Sequence, residues 1–156
     1  MSADELTTDE STATELTTDE LARLQAAFAQ VSYARLLGME FVRAARGTAT
    51  FALDTRDELT RMGGILHGGA IVSLMDTAAA FAVHTLLDAS ARTVTVDLTI
   101  HFLRPVSAGR VESRATVLRA GRRILILNVE ATDQTGALVA TATTTYIKQS
   151  SPHALN

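Results

Sequence analysis

Apolar and polar positions change rhythm along this chain, and each change marks an element. Leu21, Leu24, Ala27 and Phe28 recur at helical spacing, and Thr17 with Glu20 three residues on supplies a capping box for that helix. A short helical turn is expected over residues 33–38, closed by Gly38. Residues 39–46 and 48–54 alternate as strands hinged at Gly47, and 55–62 reads as a polar loop leading into Gly63-Gly64. From about residue 68 to 87 the chain is apolar or small on every helical face, through Ala70, Ile71, Val72, Leu74, Met75, Ala78, Ala79, Ala80, Phe81, Ala82 and Val83. A helix of that kind is buried. The rest of the chain returns to period two. Over 93–103, Val94, Val96, Leu98, Ile100 and Phe102 fall on one face, with Thr95, Asp97, Thr99 and His101 on the other. Arg104-Pro105 stops that strand, because proline has no donor for the ladder. Strands over 111–120 and 122–132 pair around Ala120-Gly121, and 137–148 follows Thr135-Gly136. Short connections favour antiparallel neighbours, so these strands are expected to run as a meander. The fold class is α+β, a curved antiparallel β-sheet wrapped around one long central helix.

With 156 residues the chain suits a single domain, expected over 17–150, with a sizeable core. Glu-Leu-Thr-Thr-Asp-Glu occurs at 5–10 and again at 15–20; the first copy lacks a following apolar run, and residues 1–16 read as a disordered acidic tail. An apolar share of 47% with 20% charged residues is that of a soluble globular protein. A net charge of -3 gives no footprint for a nucleic-acid partner. The absence of cysteine removes disulfides, thiolate metal sites and cysteine nucleophiles. Ser73, Asp76, Thr77, His84 and Thr85 interrupt the apolar run too often for a membrane span. The first residues lack a signal-peptide pattern, and the expected location is cytoplasmic.

Asp76 is the residue that composition does not explain. It stands in the middle of the apolar helix with no Lys or Arg on that helix to pair with. Burying an ionised carboxylate costs several kcal/mol unless it is paired or neutralised, about the scale of a functional commitment. The structural alternative is a buried Asp bonded to Ser73 or Thr77, or to a distant Arg. His67-Gly68-Gly69 opens the same helix, where first-turn N–H groups have no helical partner and the dipole is positive. Such a turn suits a carbonyl oxygen that gains negative charge. Gly68 and Asp76 are about 12 Å apart along the axis, too far to touch one carbonyl within a chain. A partner subunit is therefore expected to bring its Asp76 to this chain's glycine turn. His67, His84 and His101 match no metal-ligand spacing, so no metal is expected. Ser73 lacks a nucleophile elbow. Arg119, Arg122 and Arg123 form the densest basic patch, either a solvated turn or a phosphate site, with Arg104 and Arg110 as possible neighbours.

These residues resemble the hotdog-fold thioesterases of the phenylacetate-pathway (PaaI-like) family. The resemblance covers about residues 28–148 and rests on Leu36 to Gly38, on Gly63 to Gly69 with Leu66-His67-Gly68-Gly69, and on Asp76 nine residues after His67. Phe102-Leu103-Arg104-Pro105 and Gly121-Arg122-Arg123 also match. It implies hydrolysis of acyl-CoA thioesters by a homodimer, with dimers pairing into a tetramer. Coenzyme A enters as part of the substrate, and no separate cofactor is implied. By this resemblance Gly68 polarises the carbonyl, His67 shapes the turn, and Asp76 of the facing subunit activates water or attacks directly. Gly69, Thr93 and Thr95 would line the substrate, and Arg104, Arg119, Arg122 and Arg123 would hold CoA phosphates. Members often carry Asn six residues before the motif His, where this chain has Arg61, which is retained as a substrate-binding candidate. Ala79, Ala80, Phe81 and Val83 suggest an apolar pocket for an aryl or a short- to medium-chain acyl group. Two other functions share the scaffold: a non-catalytic acyl-CoA or acyl-carrier-binding protein, and a hydratase or dehydratase.

Overall fold

Thr17 and Glu20 cap the first helix reciprocally: the Thr17 hydroxyl accepts from the Glu20 N–H at 3.2 Å, and the Glu20 carboxylate accepts from the Thr17 N–H at 2.9 Å. The computed structural model describes residues 15–149, so the tail expected over 1–16 lies outside them except for its last two residues. Of these, Leu16 already packs against the core. Helix α1 spans Thr18–Ala29 and α2 spans Ser32–Leu37, the latter closed by Gly38 in the left-handed conformation at φ 70°. Strands β1 (Glu40–Ala45) and β2 (Thr48–Asp54) form a hairpin. The expected polar loop instead contains a 3-10 turn over Asp57–Leu59 and strand β3 (Thr60–Arg61), which pairs with β4 (Ile65–Leu66).

The central helix α3 runs over Gly68–His84, three residues shorter than expected at its C-terminal end. Thr85 ends it. Its hydroxyl donates to the Ala82 carbonyl at 2.6 Å and accepts from the Gly47 N–H at 2.7 Å, tying the helix to the β1–β2 turn. One face of α3 is fully buried through Leu74, Met75, Ala78, Ala79, Ala82 and Val83. The opposite face, Val72, Ser73, Asp76, Thr77 and Ala80, is only half-buried. The expectation of burial on every side thus fails for one chain, which leaves a lengthwise stripe of α3 open. Phe28, Phe41, Phe51 and Phe81 join α1, β1, β2 and α3 in one aromatic cluster, with Phe28 and Phe51 centroids 4.9 Å apart. Contacts of this geometry contribute about 0.5–1.5 kcal/mol per pair beyond area burial.

Strands β5 (Arg92–Phe102), β6 (Arg110–Ala120), β7 (Ile124–Asp133) and β8 (Leu138–Gln149) complete a fully antiparallel six-stranded sheet. Its order is β1-β2-β6-β7-β8-β5. The four strands of the second half do not form the expected meander: β6, β7 and β8 are consecutive neighbours, but β6 inserts beside β2 and β5 lies at the far edge beside β8. The expected alternation along β5 is also broken. Its pairing with β8 skips Val96, because Thr95 lies opposite Tyr146 and Asp97 opposite Thr145. Such a bulge reverses which face each later residue occupies. Thr93 and Thr95 therefore share the helix side with Leu98 and Ile100, which pack on the core, while Val94 and Val96 turn outward. No helix among the described residues is long and apolar enough to cross a membrane.

Candidate active site

At the start of α3, His67 is the N-cap and its Nδ1 accepts from the Gly69 N–H at 2.9 Å. The neutral ring then carries its proton on Nε2. The His67 carbonyl takes the Ala70 and Ile71 N–H groups at 2.9 and 3.4 Å. This leaves the Gly68 N–H, at the first helical position, as the donor of this turn that remains free among the described residues. Both glycines are closely approached, by side chains that would have to give way by a few tenths of an ångström to a Cβ. A Cβ on Gly68 would meet the Phe102 ring at 3.1 Å, and one on Gly69 would meet His67 Nδ1 at 3.0 Å. Ser73 Oγ donates to the Gly69 carbonyl at 2.8 Å. With that proton committed, Tyr33 donates its own to Ser73 Oγ at 2.9 Å. The chain from Tyr33 through Ser73 fixes the turn from outside.

Asp76 lies two helical turns further on. Its Oδ1 accepts two hydrogen bonds, from Tyr146 Oη at 2.7 Å and from Thr95 Oγ1 at 3.0 Å. Tyr146 Oη also lies 3.0 Å from the Asp76 carbonyl. Asp76 Oδ2 takes no hydrogen bond from the described residues. Burial first, and the bond to Asp76 second, push the Tyr146 hydroxyl well above its ordinary range, so it remains a donor at any physiological pH. The carboxylate is thus held by one oxygen with the other open. Placement depends on the β5 bulge, which turns Thr95 towards the helix beside its strand partner Tyr146.

The remaining candidates separate into distinct places. Arg61, Gly68 and Arg104 line one groove, together with Phe102 and Pro105. His67 and Gly69 line another, with Tyr33, Glu58 and Ser73. Arg119, Arg122 and Arg123 converge at the β6–β7 turn beside Ile124 and Ile126, and Arg122 precedes the strand it was expected to begin. Arg110 belongs to neither basic group, since its guanidinium bonds Glu40 at 2.6 Å and lies 3.6 Å from Asp54. Thr93 shares the face of Thr95 but pairs opposite Lys148 and makes no hydrogen bond to Asp76. Of the suggested pocket residues, Ala79 and Val83 are fully buried, whereas Ala80 and Phe81 line a cavity with His84. His101 is exposed on β5. No group of three metal-ligating side chains occurs among the described residues.

Sequence reasoning did not find Tyr146, Tyr33 or Ser73 in these roles. For Tyr146 a signal existed, an aromatic hydroxyl among the apolar positions of a strand, but its register against β5 could not be read through the bulge.

The thioesterase superfamily model matches residues 63–140, from the glycine turn through β7 into β8. A protein of Saccharolobus solfataricus named for esterase activity is 35% identical over 111 residues, 71% of this chain and 73% of that protein. The medium/long-chain acyl-CoA thioesterase YigI of Salmonella typhimurium is 28% identical, covering 74% of this chain and 84% of YigI. Among solved structures, the phenylacetic acid degradation protein PaaI of Thermus thermophilus is 32% identical with a TM-score of 0.68, covering 74% of this chain and 97% of that one. A Haemophilus influenzae thioesterase, at 23% identity and a TM-score of 0.77, shares the fold. With the family model matched over half of its residues and these relatives alongside, the chain belongs to the thioesterase superfamily with a hotdog fold.

Proposed function

We propose that this protein hydrolyses acyl-CoA thioesters, and that each site is built by two protomers. The observation that carries the reading is the pairing of a free Gly68 N–H with an Asp76 carboxylate anchored on one oxygen only. Within one chain these groups are about 12 Å apart along α3. The half-open stripe of α3 and the unpaired outer edge of β5 lie on the side where a second copy would bring its own Asp76. Val94 and Val96 are 43% and 58% exposed on that edge, apolar surface that pairing would cover. Pairing of dimers into a tetramer follows from the resemblance alone.

The thioester carbonyl oxygen is received by the Gly68 N–H at the positive end of the helix. Asp76 of the facing protomer takes a proton from water through Oδ2 as the water oxygen bonds to the carbonyl carbon. The resulting oxyanion stays on the Gly68 N–H. When the carbon–sulfur bond breaks, the proton held by Asp76 passes to the departing CoA thiolate, and the carboxylate is restored. Arg61 and Arg104 flank Gly68 and, with Arg119, Arg122 and Arg123, supply the cations for the phosphates of CoA. The relatives named for acyl-CoA thioesterase activity support this substrate class. The test is thiol release from a panel of aryl, short-, medium- and long-chain acyl-CoAs by wild type and Asp76→Asn. Turnover that falls by at least about a hundredfold in Asp76→Asn is expected. Binding of acyl-CoA by wild type without any thiol release would instead establish the non-catalytic binding protein.

A further inference from the structure

A cavity of about 400 Å³ lies between α1 and the C-terminal half of α3. Its walls are apolar: Leu24, Ala27 and Val31 on one side, Ala80 and Phe81 on the other. Arg23, His84 and Asp88 stand at its far end. The walls are fixed. Phe28 of α1 stacks edge-on to Phe81 at 5.7 Å, and Arg23 donates to the Leu87 carbonyl at 3.2 Å. Ala80 and His84 come four and eight residues after Asp76, so they continue its face of α3 about 6 and 12 Å further along the axis.

We propose that this cavity seats the acyl group of the substrate, and that His84 sets its length. The proposal rests on the thioester reading, since it measures from a carbonyl held beside Asp76. An extended acyl chain advances about 1.3 Å per bond, so about eight to ten carbons reach from Asp76 to His84. A longer chain meets Arg23, His84 and Asp88, whose desolvation by methylene groups is unfavourable. The acyl class selected is therefore apolar and of medium length. Burial and the nearby Arg23 both hold the His84 imidazole towards its neutral form, which keeps a charge away from the end of the chain.

The experiment uses Asp76→Asn as the background, so that the thioester survives, and compares calorimetric affinities for decanoyl-CoA and CoA. Decanoyl-CoA is expected to bind more tightly than CoA. Ala27→Trp, a change on the exposed side of α1 that fills the cavity, is expected to narrow that gap by at least about tenfold. Equal gaps with and without Trp would overturn the proposal. A second readout does not depend on the Trp variant: the His84 ring resonances should move with decanoyl-CoA and stay in place with butyryl-CoA. Unmoved resonances with decanoyl-CoA would also overturn it. Failure of wild type to release thiol would count against hydrolysis, while the affinity gap and the His84 resonances would still decide where the acyl group sits.

Discussion

Replacing Tyr146 with Phe removes one hydroxyl from a site where the ring is otherwise 2% exposed. The ring packing survives, so the loss is that of the hydroxyl's contacts with Asp76, 2.7 Å to Oδ1 and 3.0 Å to the carbonyl. Hydrogen bonds to charged groups contribute about 1.5–3 kcal/mol, and that is the destabilisation expected for Tyr146→Phe. Asp76 would then be held by Thr95 alone, at 3.0 Å. A carboxylate free to rotate about its helix attachment spends less time aimed at water, and a displacement of this kind costs about ten- to a hundredfold in kcat. The assay is urea unfolding at fixed protomer concentration, because association contributes to stability, alongside steady-state thiol release. In a double-mutant cycle read in kcat, Tyr146→Phe should cost little in an Asp76→Asn background, since its effect on rate runs through the Asp76 carboxylate. A Tyr146→Phe protein as stable and as active as wild type would refute the reasoning. So would an equal loss in both backgrounds.

His84 links the cavity to pH. Burial, then Arg23, lowers its pKa in the folded chain from an ordinary 6.5, so below 6.5 the unfolded chain binds more protons. Its share of stability is present above that value and is lost as pH falls through the lowered one. His84→Gln should flatten the decline seen by thermal unfolding between pH 7 and pH 5, and an unchanged decline would contradict this. On the β5 edge, Val96→Glu places a charge on the outward side of the bulge, where Val96 is 58% exposed. Sedimentation should show a shift towards monomer, and an undiminished dimer would locate the interface elsewhere.

Element types were legible wherever one residue pattern dominated. The capping box at Thr17 and Glu20, the glycine that closes α2, the long α3 and the strands of the second half all follow from local spacing. Two things escaped because they are decided at a distance. Strand order was one: the β5-to-β6 connection crosses the sheet, which local turn signals cannot reveal. The bulge at Val96 was the other, and it put Thr95 on the face of Leu98 and Ile100, beside Asp76, rather than on that of Asp97 and Thr99. His67, Gly68, Gly69 and Asp76 stood out because glycines at a helix start and a carboxylate in an apolar run are chemically conspicuous. Tyr146, Tyr33 and Ser73 did not, since hydroxyl groups acquire these roles through tertiary contacts alone.

Sharing of one site by two protomers is tested most directly with mixed dimers. Gly68→Pro deletes the free N–H at a position where proline suits the helix, and the extended conformation of His67, at φ -64° and ψ 134°, tolerates a following proline. Asp76→Asn deletes the base. Dimers of either variant lack one component in both sites, whereas a mixed dimer unites the Gly68 N–H of one chain with the Asp76 of the other. Co-expressed variants are expected to release thiol well above the sum of the two parents. A mixture no more active than that sum would contradict a site built across the dimer.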